Sequence, residues 1–137
     1  MIRLGRMVTV DASALLAILL DEPDAPEIAQ ALAAGPRRLV ATVSALEAAI
    51  VIDSKKGPAG TRELDLLLHH SKIEVAGMNA DQVEIAREAY RKFGKGRHPA
   101  GLNLGDCCSY ALAKYSGEPL LYKGGDFGQT DIPTVKY

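Results

Sequence analysis

At 137 residues, 47% hydrophobic and 24% charged, the chain carries enough apolar material for one compact core and is neither disordered nor fibrous in composition. Sixteen basic against seventeen acidic residues leave a formal charge of -1. That excludes the overall basic field of many nucleic-acid binders, so any contact with nucleic acid must be local.

Met7-Val-Thr-Val-Asp11 reads as a short buried strand and Ala12 to Leu20 as the helix that follows it. This longest apolar run is too short for a bilayer span and has no signal-peptide cleavage pattern, so a cytoplasmic protein without membrane attachment is expected. Ala25 to Ala34 is a second helix, stopped by Gly35-Pro36; Arg38 to Ala41 is a strand, and Ser44 to Lys55 a helix closed by Gly57-Pro58. Thr61 to His70 is helical, Lys72 to Ala76 a strand, and Asp81 to Phe93 an amphipathic helix with Val83, Ala86, Tyr90 and Phe93 at helical spacing. A Gly-rich basic loop from Gly94 to Asn103, expected to be mobile, leads to a helix over Leu104 to Ser116 and a strand over Pro119 to Tyr122. Pro133 to Lys136 is a candidate last strand. Strands alternating with helices, without hairpin turns, predict an α/β fold with a central, mainly parallel sheet covered on both faces. The only cysteines, Cys107 and Cys108, are neighbours, which fits neither a disulfide framework nor a zinc site and agrees with a reducing compartment.

Four acids fall where this topology gathers residues: Asp11 at the end of the first strand, Glu47 early in the helix after the second, Asp106 opening a helix, and Asp126 beyond the last clear strand. Strand carboxyl ends and adjacent helix starts line the ligand crevice of open α/β sheets. Carboxylates collected there bind hard divalent cations, magnesium or manganese. Zinc would call for His or Cys, and His69, His70 and His98 have no ligand spacing with the cysteines. Each acid also has a structural reading. Asp11 can be an N-cap; Ser44-Ala-Leu-Glu47 and Asn103-Leu-Gly-Asp106 fit capping patterns; Gly124-Gly-Asp126 can be a turn.

Val10-Asp11-Ala-Ser13, Ser44-Ala-Leu-Glu47, Leu102-Asn-Leu-Gly-Asp106-Cys-Cys-Ser-Tyr-Ala-Leu-Ala113 and Leu121-Tyr-Lys-Gly-Gly-Asp126-Phe127 resemble, in order and interval, the four acidic motifs of PIN-domain ribonucleases, specifically VapC toxins of type II toxin–antitoxin modules. The first two motifs are weak alone, the last two quite specific. The resemblance covers residues 7–137 as one PIN domain; residues 1–6 fall outside it, as an N-terminal extension or because Met7 is the start. It implies a three-layer sandwich and a magnesium-dependent endoribonuclease, manganese being possible chemically as well. It also implies inhibition by a VapB-type antitoxin, with the toxin a homodimer. Carried over by position, Asp11, Glu47, Asp106 and Asp126 form the catalytic, metal-holding pocket, with Asp11 and Asp106 the direct ligands and Ser13 and Asn103 supporting polar groups.

An RNA substrate needs positive potential beside such a pocket, and Arg91, Lys95 and Arg97, in and before the Gly-rich loop, are the candidate phosphate contacts. Their alternative is a solvated face in which Glu84 and Glu88 pair with the basic residues of the same helix. Two other functions compete. A non-catalytic RNA- or protein-binding module on the same fold should have lost an acid of the set. A phosphatase with Asp11 as nucleophile should carry an Asp two residues later, where Ser13 stands.

Overall fold

The computed structural model describes residues 7–137. The expected extension over residues 1–6 lies outside the described residues. Strand β1 (Val8–Val10) enters helix α1 (Ala12–Leu19), followed by α2 (Ala25–Ala33), β2 (Arg38–Ala41), α3 (Thr42–His70), β3 (Ile73–Ala76), α4 (Ala80–Phe93), α5 (Leu104–Ser116) and β4 (Leu120–Leu121). A 3-10 turn over Phe127–Gln129, which the sequence pattern does not predict, follows β4.

The four strands lie in the order β3-β2-β1-β4, and every pairing is parallel, with Val10 opposite Val40 on one side and Leu121 on the other. Side chains alternate between the faces as the period of a strand demands. Val8, Val10, Val40, Ile73 and Leu121 pack with α1, α2 and the core-facing residues of α3. Leu120 faces a cluster built by α4 and α5, and Leu39 and Ala41 meet Cys108 and Leu112 of α5. The expected three layers are therefore present, with α1 to α3 on one face and α4 and α5 on the other.

Two expectations change. The sequence pattern predicts one helix closing at Gly57-Pro58 and another beginning at Thr61, but helical structure spans Thr42–His70 and breaks only at Gly57, with φ 60 and ψ -148. Glycine alone takes that conformation freely, and Pro58 then stands in the first turn of the resumed helix, where its missing N–H costs nothing. The candidate strand over 133–136 shrinks to a single bridge between Leu120 and Thr134, since Pro133 has no N–H to extend a ladder.

Opposite the candidate site, Arg38 fastens the base of the sheet. Its guanidinium donates to the carbonyls of Leu32, Ala33, Gly35 and Ser71, satisfying the C-terminal carbonyls that α2 and α3 leave unpaired. From β1 the chain winds outward through β2 and β3, then returns to add β4 on the other side. The reversal opens a crevice at the carboxyl ends of β1 and β4, where ligands enter such sheets.

Candidate active site

Asp11 follows β1 directly, and its N–H donates to the Leu121 carbonyl at 2.9 Å, which fixes its backbone between β1 and β4. It is only 4% exposed. Its Oδ2 accepts from the Ser13 N–H at 3.0 Å, so the N-cap role is realised, and its Oδ1 accepts from Ser109 Oγ at 2.5 Å. An ionised carboxylate offers about four acceptor positions, so lone pairs remain for a cation.

Asp106 occupies the third position of α5 and forms a reciprocal cap with Asn103. Asn103 Oδ1 accepts from the Asp106 N–H at 2.9 Å, and Asp106 Oδ2 accepts from the Asn103 N–H at 3.0 Å. This cap holds one oxygen and leaves Oδ1 with no protein donor among the described residues. Asn103 thus orients Asp106. Ser13 does something else: its Oγ accepts from the Lys123 N–H at 2.9 Å, tying the exit of β4 to α1.

The capping box expected at Ser44 does not form. Helix α3 starts two residues earlier, at Thr42, with Ala41 as its cap and no side-chain cap bond, so Ser44 sits inside the first turn. Its side chain points inward, fully buried, and contacts Ser109 Oγ at 2.7 Å. Glu47, released from any capping duty, stretches over Gly105, where an added Cβ would lie 2.8 Å from its Oε1. The Glu47 carboxylate is thereby held against the start of α5, beside Asp106.

Asp126 is exposed on a short loop fastened at both ends. Before it, Lys123 Nζ bridges Glu22 at 2.6 Å and Asp24 at 3.0 Å; after it, buried Phe127 packs edge-on against Tyr122. Gly124, at φ 113, makes the turn that only glycine takes without strain.

Asp106 and Glu47 feel the charges around them. Burial, and then the charges of Asp11, Asp126 and Glu47, push the Asp106 carboxyl up to about 6, although the Asn103 amide opposes the shift. Burial and the Asp11 charge also raise Glu47. Among the described residues no lysine or arginine forms an ion pair with any of the four. Such a site has negative charge in need of a cation. Its donors are all hard oxygens. His98 Nδ1 already accepts from the Ala100 N–H, and burial pushes both thiols up, Cys107 to about 11, so neither supplies a thiolate. No three of these side chains close around a point by themselves among the described residues. Hard oxygen donors are the kind magnesium takes, and it keeps several waters and takes only one or two carboxylates directly.

The basic segment is less simple than its sequence. Arg87 pairs with Glu84 at 2.9 Å and Arg91 with Glu88 at 3.4 Å, both on the exposed face of α4. Arg97 stacks over the Tyr90 ring, 5.4 Å from its centre. The loop expected to be mobile is instead stitched down. The Lys95 N–H donates to Leu102, the Leu102 N–H to Phe93 and the Gly101 N–H to His98, while Ala100 and Leu102 are buried.

Sequence reasoning missed Ser109, Gly105 and Lys123. The signal for Ser109 was its spacing of three from Asp106, which puts both on one face of α5.

The PIN domain family matches residues 8–133. Ribonuclease VapC30 of Mycobacterium tuberculosis is 55% identical over 128 residues, 93% of this chain and 98% of that protein. Ribonuclease VapC of Mycolicibacterium smegmatis is 56% identical, covering 93% of this chain and 99% of that one. Among solved structures, VapC20 of Mycobacterium tuberculosis, described as a Sarcin-Ricin loop cleaving toxin, superposes with a TM-score of 0.76 at 16% identity over 93% of this chain and 98% of its own. VapBC2 from Rickettsia felis, bound to a promoter DNA fragment, gives 0.75 at 14% identity, with 95% and 97% covered. The structural matches carry the fold, and the sequence matches, extending over almost all of both chains, carry the family: this chain belongs to the PIN-domain family and, within it, to the VapC ribonucleases.

Proposed function

We propose that Asp11, Glu47, Asp106 and Asp126 are the catalytic carboxylates of this ribonuclease, that Asp11 and Asp106 hold a magnesium ion directly, and that Glu47 and Asp126 complete its pocket. The observation that carries this reading is that burial and the charges of Asp11, Asp126 and Glu47 push the Asp106 carboxyl up to about 6, while no lysine or arginine among the described residues pairs with any of the four. When bound, magnesium supplies the Lewis acidity that polarises a phosphodiester oxygen and offsets charge in the transition state; manganese can do the same. Asp11 is held by Ser13 and Ser109, and Asp106 by Asn103, so both present fixed oxygens to the crevice. Hydrolysis then leaves a 5'-phosphate and a 3'-hydroxyl, without a covalent enzyme intermediate.

In the cell the chain acts as the toxin of a toxin–antitoxin pair, silenced by a VapB-type antitoxin, and assembles as a homodimer. Exposed Leu46, Ile50 and Leu104 and the apolar groove of about 750 Å³ between α4 and α5, lined by Val83, Tyr90 and Leu104, provide surface for protein partners. Arg91, Lys95 and Arg97 lie along the RNA path. A binding-only module on this fold would gain nothing from four acids that no lysine or arginine pairs among the described residues.

The test is cleavage of RNA by purified Asp106→Asn and Asp11→Asn proteins in magnesium, with chelator as control. Both variants keep the side-chain shape and lose the charge, so loss of cleavage in folded protein is expected. Metal-dependent cleavage surviving in Asp106→Asn would overturn the assignment.

A further inference from the structure

We infer that Ser109, backed by Ser44, is a positioning residue that sets the direction in which Asp11 presents its carboxylate to the metal; the inference rests on the proposed role of Asp11. The starting observation is a hydrogen-bonded chain with no access to solvent. Ser44 and Ser109 are both 0% exposed, one on α3 and one on α5, with their oxygens 2.7 Å apart, and Ser109 Oγ lies 2.5 Å from Asp11 Oδ1.

The direction of the chain follows from counting protons. A hydroxyl has one, and an ionised carboxylate can only accept. Ser109 therefore donates to Asp11, which leaves Ser44 as the donor to Ser109. Each hydroxyl polarises the next, and the bond to the carboxylate is charge-assisted and short, the strong kind.

Helix packing alone gives no reason for these hydroxyls. A serine inside a helix ordinarily faces water or bonds back to a carbonyl of the preceding turn, and neither serine has such a backbone bond among the described residues. Around Ser109 the helix is Cys107, Cys108, Tyr110, Ala111, Leu112 and Ala113, all buried, an apolar setting in which a small apolar residue would serve packing. Burying two hydroxyls costs free energy unless they are matched, and among the described residues their only match is the chain ending on Asp11. Spacing strengthens the point. Ser44 and Glu47 are three apart on α3, and Asp106 and Ser109 three apart on α5, so each helix places one acid in the pocket and one serine behind it. The other hydrogen bond to the Asp11 carboxylate, from the Ser13 N–H, comes from its own helix. Among the described residues, only Ser109 locks the carboxylate from across the core.

The experiment is a calorimetric titration of the intact protein with Mn2+, with thermal unfolding as a check of the fold. Ser109→Ala is expected to weaken Mn2+ binding by about tenfold or more, the usual effect of removing a group that orients a ligand. Ser44→Ala is expected to weaken it less. The double variant should bind no more weakly than Ser109→Ala, because Ser44 acts only through Ser109. Ser109→Thr, which keeps the hydroxyl, should restore affinity. Parent affinity in folded Ser109→Ala, or additive losses in the double variant, would overturn the inference. Asp11→Asn separates the two levels: if it loses Mn2+ binding while Ser109→Ala does not, only the positioning role fails. If Asp11→Asn binds Mn2+ like the parent, the proposed role of Asp11 fails and takes this inference with it.

Discussion

A methyl group on Gly105 would stand 2.8 Å from Glu47 Oε1, so the Glu47 carboxylate occupies the space that any larger residue at position 105 would claim. The atom in the way is the far end of a flexible side chain, which can swing aside without disturbing the core. Gly105→Ala should therefore keep the fold and even stabilise α5, by up to about 1 kcal/mol from helix propensity. Cleavage should fall by roughly a hundredfold, as misplacing a pocket group by about 1 Å does. Opposite movements of unfolding midpoint and turnover are the expected pair; unchanged turnover would remove Glu47 from the pocket.

Asp106 makes stability depend on pH in an unusual direction. Its carboxyl titrates near 3.8 when unconstrained and at about 6 in the fold. Between those values the folded chain holds a proton that the unfolded chain has released, so the contribution of Asp106 to stability declines as pH rises from about 4 to about 6 and is flat above. Asn at this position can still accept from the Asn103 N–H but carries no charge. In chelator, Asp106→Asn should exceed the parent in stability at pH 7 by about 1 kcal/mol, allowing for partial exposure, with the gap closing by pH 4. Urea midpoints across that range check it, and a variant less stable than the parent at pH 7 would contradict it. Mn2+ affinity of the parent should rise through pH 6, as Asp106 ionises.

The basic residues divide by their partners. Arg91 is engaged by Glu88, whereas Lys95 and Arg97 have no carboxylate partner among the described ion pairs. Neutralising Lys95 and Arg97 in an Asp106→Asn background should weaken RNA binding and flatten its salt dependence, by about 0.7 in log–log slope for each phosphate left without its cation. Arg91→Ala should change the slope less. A double variant with the parent slope would place the RNA path elsewhere.

Neither thiol should matter to the chemistry. With Cys107 pushed up to about 11, first by burial and then by the Asp106 charge, only about one thiol in a thousand is ionised at pH 8. Alkylation of the folded protein, followed by mass, should be slow and should accelerate in urea. Rapid modification of the native chain would contradict the burial.

The sequence was most informative where local chemistry and tertiary demand agree. Asn103 to Asp106 is readable as a cap because the cap exists, and the α5 span Leu104–Ser116 matches its expected limits. Ser44 to Glu47 satisfies the same pattern but yields to packing. Starting α3 at Thr42 buries Ser44 against Ser109 and frees Glu47 to reach Gly105, a gain that no local motif encodes. The loop over 94–103 misleads for a similar reason. Its glycines read as freedom, yet Gly94 is needed for proximity: a Cβ there would collide with the Tyr90 carbonyl and ring.

The sheet order has a consequence for the ribosome. Thr9 pairs with Leu120, so β1 waits for more than a hundred further residues before its second neighbour arrives, and long-range parallel pairings of this kind are slow to form. Asp11 and Glu47 emerge early, whereas Asp106 and Asp126 come from the last third of the sequence. A growing chain, folding from its N-terminus, thus carries Asp11 and Glu47 before their two companions exist, and the four acids come together only after Asp126 has been made.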